Sequence, residues 1–211
     1  MLLGLMGLVM IYGCGPDRAY EEYLQGREAE EAQALDVAFA HYDRSLALDS
    51  TRAEAYLGRG RIHWISQQHE RALADLNRAL ELDPDLTWAY YLRGASRMNL
   101  RAFDDAVADL TQAIISEALP DDMLRRALHL RGIGYMNLDR LDEAIADISA
   151  CIERDHEQER PGYYFERARL YETTGQLDGA IADYESFLAL NPVPNEQTGE
   201  VEQKLIVLRA Q

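Results

Sequence analysis

A beat of small side chains runs along this chain and restricts what it can fold into more than any other feature. Gly26, Gly60, Gly94, Gly132 and Ala168 are each followed twelve residues later by an alanine: Ala38, Ala72, Ala106, Ala144 and Ala180. Successive units are 34, 34, 38 and 36 residues apart, and four residues beyond each alanine stands a large side chain, Tyr42, Leu76, Leu110, Ile148 or Tyr184. Self-similarity at such a period marks a repeated supersecondary unit. A small residue on each of two neighbouring helices lets their backbones approach near the lower end of the usual interaxial range of about 8–10 Å. The large residue one turn later fills the space beside that contact.

Each unit carries start and stop signals. An acid opens every second helix, at Asp36, Glu70, Asp104, Asp142 and Asp178, where it is expected to cap free amides and meet the positive end of the helix dipole. Leu35, Phe103, Leu141 and Leu177 precede it as candidates for a hydrophobic staple, and His69 fills that slot in the second unit, which makes it structural. Pro84 and Pro192 push Asp83 and Asn191 out of the α region and end the second helix there. The third and fourth units lack that proline and are followed by insertions of four and two residues, so their junctions are expected to be the loosest. Arg59, Arg93, Arg131 and Arg167 stand just before the small residue, and Asp75, Asp109, Asp147 and Asp183 recur sixteen residues later. This predicts a ladder of arginine–carboxylate pairs within or between hairpins.

These residues resemble the tetratricopeptide repeat, most clearly in EAYLGRGRIHW, DLNRALELDP, WAYYLRGASRMNL and HLRGIGYMNLDRLDEAIADI. The resemblance implies an all-α fold, an α-solenoid of five helical hairpins over 19–52, 53–86, 87–124, 125–160 and 161–194. Residues 195–211 place Val201, Leu205 and Leu208 at helical spacing, as a C-terminal capping helix would. In the family the first helix of each unit lines a concave groove. Carried over, the groove positions are Tyr23 and Arg27 in the first unit, then Leu57, Arg61 and Trp64 in the second. The third supplies Trp88, Tyr91, Met98 and Asn99, the fourth Arg126, His129, Met136 and Asn137, and the fifth Phe165 and Arg169. The family's cationic clamp for a terminal carboxylate is missing, because Tyr23 and Arg27 stand where its first lysine and asparagine would be. What remains suits a protein or peptide segment with apolar or aromatic side chains. A carrier of small hydrophobic ligands is the alternative, and a closed apolar cavity would favour it.

Composition narrows the field. Lys+Arg number 21 against 37 Asp+Glu, a formal charge of -16, so the summed field repels a nucleic-acid backbone. The sequence contains no glycine-rich phosphate loop, no HExxH and no G-x-S-x-G, and the histidines His41, His63, His69, His129 and His156 have no partnering nucleophile. No Cys/His spacing resembles a metal site, Cys14 and Cys151 are not expected to pair, and no cofactor is expected. The reading is therefore non-catalytic.

Met1 to Cys14, MLLGLMGLVMIYGC, carries no charge and is shorter than the roughly 20 residues a spanning helix needs. It fits the apolar region of an export signal, followed by a short linker over 15–18. Gly13 beside Cys14 resembles a bacterial lipobox, which implies acylation of Cys14, and Gly15 points to the outer membrane. The expectation is a lipid-anchored envelope protein facing the periplasm. A short buried or disordered apolar terminus is the alternative.

Overall fold

The structure, a computed structural model, describes residues 17–155 and 160–210. Cys14, the signal-like segment and His156 lie outside the described residues. Among the described residues there are eleven helices and no strand. They are α1 (Arg18–Glu31), α2 (Leu35–Leu48), α3 (Ala53–Ile65), α4 (His69–Leu82), α5 (Thr87–Asn99), α6 (Phe103–Ile115), α7 (Asp121–Asn137), α8 (Leu141–Glu153), α9 (Gly162–Thr173), α10 (Leu177–Leu190) and α11 (Glu196–Leu208).

Consecutive helices pair from α1/α2 to α9/α10, and each hairpin stacks on the one before it. First helices also touch one another, α1 with α3, α3 with α5 and α5 with α7, whereas no second helix meets the next second helix among the described residues. The stack therefore curves with its first helices on the inside. All the small residues of the beat are buried, and the large ones behind them are 0% exposed.

The turn inside each hairpin repeats on the same beat. Gln33, Gln67, Arg101, Asp139 and Gly175 all have a left-handed backbone, with φ of 59°, 58°, 61°, 57° and 75°. The next residue donates its amide back to the first helix, as from Gln68 to His63 at 2.9 Å and from Arg140 to Tyr135 at 2.9 Å. This is a Schellman closure, and it satisfies carbonyls at the end of the first helix. It also starts the second helix one residue later, which corrects two sequence expectations. The opening acids make no cap hydrogen bond and instead meet the dipole from the first turn. Leu35, Phe103, Leu141 and Leu177 are the first helical residues rather than the residues before the cap, so they cannot form the expected staple.

The insertion before the fourth unit likewise does not loosen its junction. Residues 121–124 extend α7 by about one turn ahead of Arg125, and Leu119 is 8% exposed, set in the core with Leu110, Ala113 and Ala127. Most of the second insertion lies outside the described residues, but Asp155 accepts the Arg160 amide at 3.0 Å beside it.

The arginine ladder bridges both within and between hairpins. Each arginine grips the aspartate of its own hairpin with two parallel bonds: Arg59 to Asp75 (2.9 and 2.8 Å), Arg93 to Asp109 (2.8 and 2.7 Å), Arg131 to Asp147 (2.8 and 2.7 Å) and Arg167 to Asp183 (2.7 and 2.8 Å). Its remaining nitrogen reaches a polar side chain of the preceding hairpin, Asp43, Asn77, Thr111 or Ser149. The guanidinium also lies over a tyrosine ring, Tyr56, Tyr90, Tyr135 or Tyr171, 5.5–5.7 Å from its centroid. Among the described residues no hairpin precedes the first unit. There His41 bonds Glu22 instead, and Arg44 bonds the same carboxylate.

The first and last described helices differ from the repeating pattern. On α1, Glu21, Gln25 and Glu28 occupy the positions that Ala55, Arg59 and Ile62 use on α3 to meet the preceding hairpin, so the outer face is polar. At the other end α11 enters through a capping box between Asn195 and Thr198 and buries Thr198, Val201 and Leu205, which match Ala55, Gly58 and Ile62 in register. It thus occupies the place of a sixth first helix. Lys204 extends the match: it pairs with Glu172, which also accepts the Tyr184 hydroxyl, just as Arg61 pairs with Glu30, which accepts the Tyr42 hydroxyl. Burial pushes the Glu172 carboxyl up, but the bonds from Lys204 and Tyr184 outweigh it and hold the group below its ordinary value.

Candidate functional site

A cleft of about 540 Å³ opens on the concave side of the first three hairpins. Tyr23, Arg27, Glu30 and Glu31 come from α1, Tyr42 from α2, and Glu54, Leu57, Gly58 and Arg61 from α3. Leu86, Trp88 and Leu92 close it from the start of α5.

The floor is set by one ring. Tyr42 is 0% exposed and lies between α1 and α3, where a Cβ on Gly26 would come within 2.7 Å of its Cε1 and a Cβ on Gly58 within 2.5 Å of its Cζ. Two glycines therefore make room for the tyrosine from opposite sides. Its hydroxyl emerges at the cleft and donates to Glu30 Oε2 at 2.8 Å, and Tyr23 lies against its ring with centroids 6.1 Å apart. Burial, and then the bond to Glu30, push the Tyr42 hydroxyl pKa upward, so it remains a donor. Arg61 also bonds Glu30, and Arg27 bonds Glu31 at 3.4 Å. Glu54 has no such partner among the described residues and faces solvent.

Of the sequence-derived groove residues, the cleft gathers Tyr23, Arg27, Leu57, Arg61 and Trp88. Trp64 and Asn99 meet elsewhere, in a depression of about 430 Å³ with Ile65, Gln67 and His69 at the ends of α3 and α5. Tyr91 belongs to the core: it is 4% exposed, and its ring meets Trp88 edge-on at 6.0 Å. Met98 is half-buried and packs on α7, its sulfur 3.4 Å from where a Cβ on Gly134 would sit. Phe165 is likewise taken up by packing, against Tyr184 and Phe187 at 6.0 and 5.4 Å. His129 bonds Glu166 at 2.8 Å and meets Tyr163 edge-on, which ties α7 to α9 and leaves the imidazole to a structural role. Arg126, Met136, Asn137 and Arg169 are exposed along the later hairpins, where the structure does not draw them into one site.

Sequence reading missed Glu30, Glu31 and Glu54. Among the described residues no group of three or more His, Cys, Asp or Glu side chains is arranged to hold a metal ion. Cys151 is buried, and its thiol, pushed up to about 12 chiefly by that burial, donates to the Arg125 carbonyl.

Family models described as TPR repeat and tetratricopeptide repeat match residues 61–100 and 129–193. The chain is a tetratricopeptide repeat protein. Solved structures with this tetratricopeptide fold include YrrB, described as a TPR protein with an unusual peptide-binding site, at 21% identity and a TM-score of 0.76 over 90% of this chain and 93% of that one. MamA from Desulfovibrio magneticus RS-1 aligns at 17% identity and a TM-score of 0.71, over 85% and 98% of the two chains. PilW, a type IV pilus biogenesis factor, aligns at 18% identity and a TM-score of 0.65, over 91% and 86%. At these identities the likeness is one of fold. A search of the curated proteins finds no match.

Proposed function

We propose that this tetratricopeptide repeat protein is a non-catalytic scaffold that holds an apolar or aromatic segment of a partner protein in the cleft between α1, α3 and α5. One observation carries the reading: Tyr23, Leu57, Trp88 and Leu92, from three consecutive hairpins, line one open cleft. Rigid first helices present them, and such a groove is a common docking mode for peptide segments. The open form and five charged side chains of the cleft favour a chain segment over an enclosed small apolar ligand. The description of YrrB as peptide-binding is in keeping with this use of the fold.

The test replaces two half-buried parts of the wall. Leu57→Ala with Trp88→Ala is expected to weaken capture of the native partner at least about tenfold, the scale of a lost interface anchor, with helicity unchanged. Undiminished capture, measured by quantitative co-purification, removes the cleft from the function.

The same proposal places the scaffold in a bacterial envelope, exported by residues 1–14 and anchored at the outer membrane through an acylated Cys14. Its support is the uncharged run ending in Gly13 and Cys14. The multiple acyl chains of such lipoproteins give stable attachment where one chain is marginal. Cys14→Ser is expected to move the protein from the membrane to the soluble fraction. Continued sedimentation with membranes would count against the anchor.

A further inference from the structure

We propose that the cleft selects a cationic segment, one that carries lysine or arginine beside its apolar side chains. The inference rests on the reading of the cleft as a protein-binding groove and adds the charge of the occupant.

The cleft holds two guanidinia, Arg27 and Arg61, and three carboxylates, Glu30, Glu31 and Glu54. Neither cation is free. Arg61 is engaged by Glu30, whose side chain is only 12% exposed and is also fixed by the Tyr42 hydroxyl. Arg27 is engaged by Glu31. A carboxylate arriving on a partner must displace one of these glutamates. Taking Arg61 strands Glu30 in a desolvated position, which is costly. Taking Arg27 exchanges one exposed pair for another and gains little. A cation displaces nothing, because Glu54 is open to it and Glu31, 73% exposed, can be shared. The chain's formal charge of -16 adds a long-range field of the same sign, which steers cations toward the molecule. The apolar side chains of the segment then meet Leu57, Leu86, Trp88 and Leu92.

The full chain is titrated by calorimetry with three peptides blocked at both ends. They share one leucine- and phenylalanine-containing core and are flanked by lysine, glutamine or glutamate. At low salt the lysine peptide is expected to bind about tenfold tighter than the glutamate peptide, with glutamine between, and the spread should shrink at high salt. Glu54→Gln with Glu31→Gln should remove roughly threefold of that preference, the scale of exposed ion pairs, with a larger loss for the lysine peptide than for the glutamine peptide. Equal or tighter binding of the glutamate peptide overturns the charge selection but leaves the groove standing. A lysine preference untouched by the double substitution overturns the cleft as its source, since the overall field alone would then account for it. If none of the three peptides binds, the groove reading falls as well.

Discussion

Arg131→Ala is expected to lower stability by about 3–5 kcal/mol, the usual cost of leaving a buried carboxylate without its partner, and Arg93→Ala by distinctly less. The two rungs look alike in sequence, yet their aspartates are held differently. Asp147 is 4% exposed, and Arg131 is its sole ion-pair partner among the described residues. Asp109, 3% exposed, is gripped by Arg93 and also by Arg97 from one turn further along α5. Removing Arg93 therefore leaves a cation in place, and removing Arg131 leaves none. At roughly 2–4 °C per kcal/mol for a chain of this size, Arg131→Ala should melt about 6–20 °C below the parent by circular dichroism. Arg131→Lys should recover only part of this, because an ammonium cannot supply two parallel bonds to Asp147 together with one to Thr111. Equal melts for the Arg93 and Arg131 variants would show that the second arginine does not matter.

Gly58→Ala and Gly132→Ala should move stability in opposite directions. A methyl at Gly58 lies 2.5 Å from the Tyr42 ring, and the ring has little room to retreat because the α1 backbone at Gly26 already lies against it, so close that a Cβ there would be 2.7 Å away. The whole ring must shift, which places the cost near the upper part of the range of about 1–3 kcal/mol for overpacking. At Gly132 the nearest atoms are Asp147 Cβ and Ile148 Cδ1, both at 3.4 Å, so a methyl makes ordinary contact. The better helix propensity of alanine then gains up to about 1 kcal/mol. Urea titration of both variants reads the difference directly. A destabilised Gly132→Ala would mean that the fourth hairpin is packed as tightly as the first two.

These contrasts show where the sequence was legible. The beat and the arginine ladder were readable because each depends on spacing within a unit and recurs, in five units and in four, and the helix exits at Asp83 and Asn191 were readable because a proline follows each. Gly58 was not readable as the tightest contact because it lies off the beat: it answers a tyrosine on another hairpin. The left-handed turns went unseen because Gln33, Gln67, Arg101 and Asp139 carry side chains where glycine would have announced the conformation. The groove was only partly legible, since one stripe on each first helix both faces the concavity and packs against its neighbours. That stripe leaves Trp88 in the cleft but takes Tyr91 into the core.

One signal was present and unused. Where the large residue of a unit is tyrosine, at Tyr42 and Tyr184, the residue four after the small one is glutamate, Glu30 or Glu172. Where it is Leu76, Leu110 or Ile148, that residue is Trp64, Met98 or Met136. A buried hydroxyl needs an acceptor, so the pairing could have placed Glu30 at the cleft from sequence alone.

The most direct test of the cleft as the working surface is site-specific photocrosslinking in the native cell, with a benzophenone side chain at Leu57 or, for comparison, at Ile115. Leu57 lines the cleft, while Ile115, at the end of the second helix α6, is 61% exposed and lies away from it. A segment held between α1, α3 and α5 gives a discrete crosslinked partner from Leu57, lost when Trp88 is alanine, and none from Ile115. The same partner captured from Ile115 with nothing from Leu57 would contradict the cleft and move the function to another face.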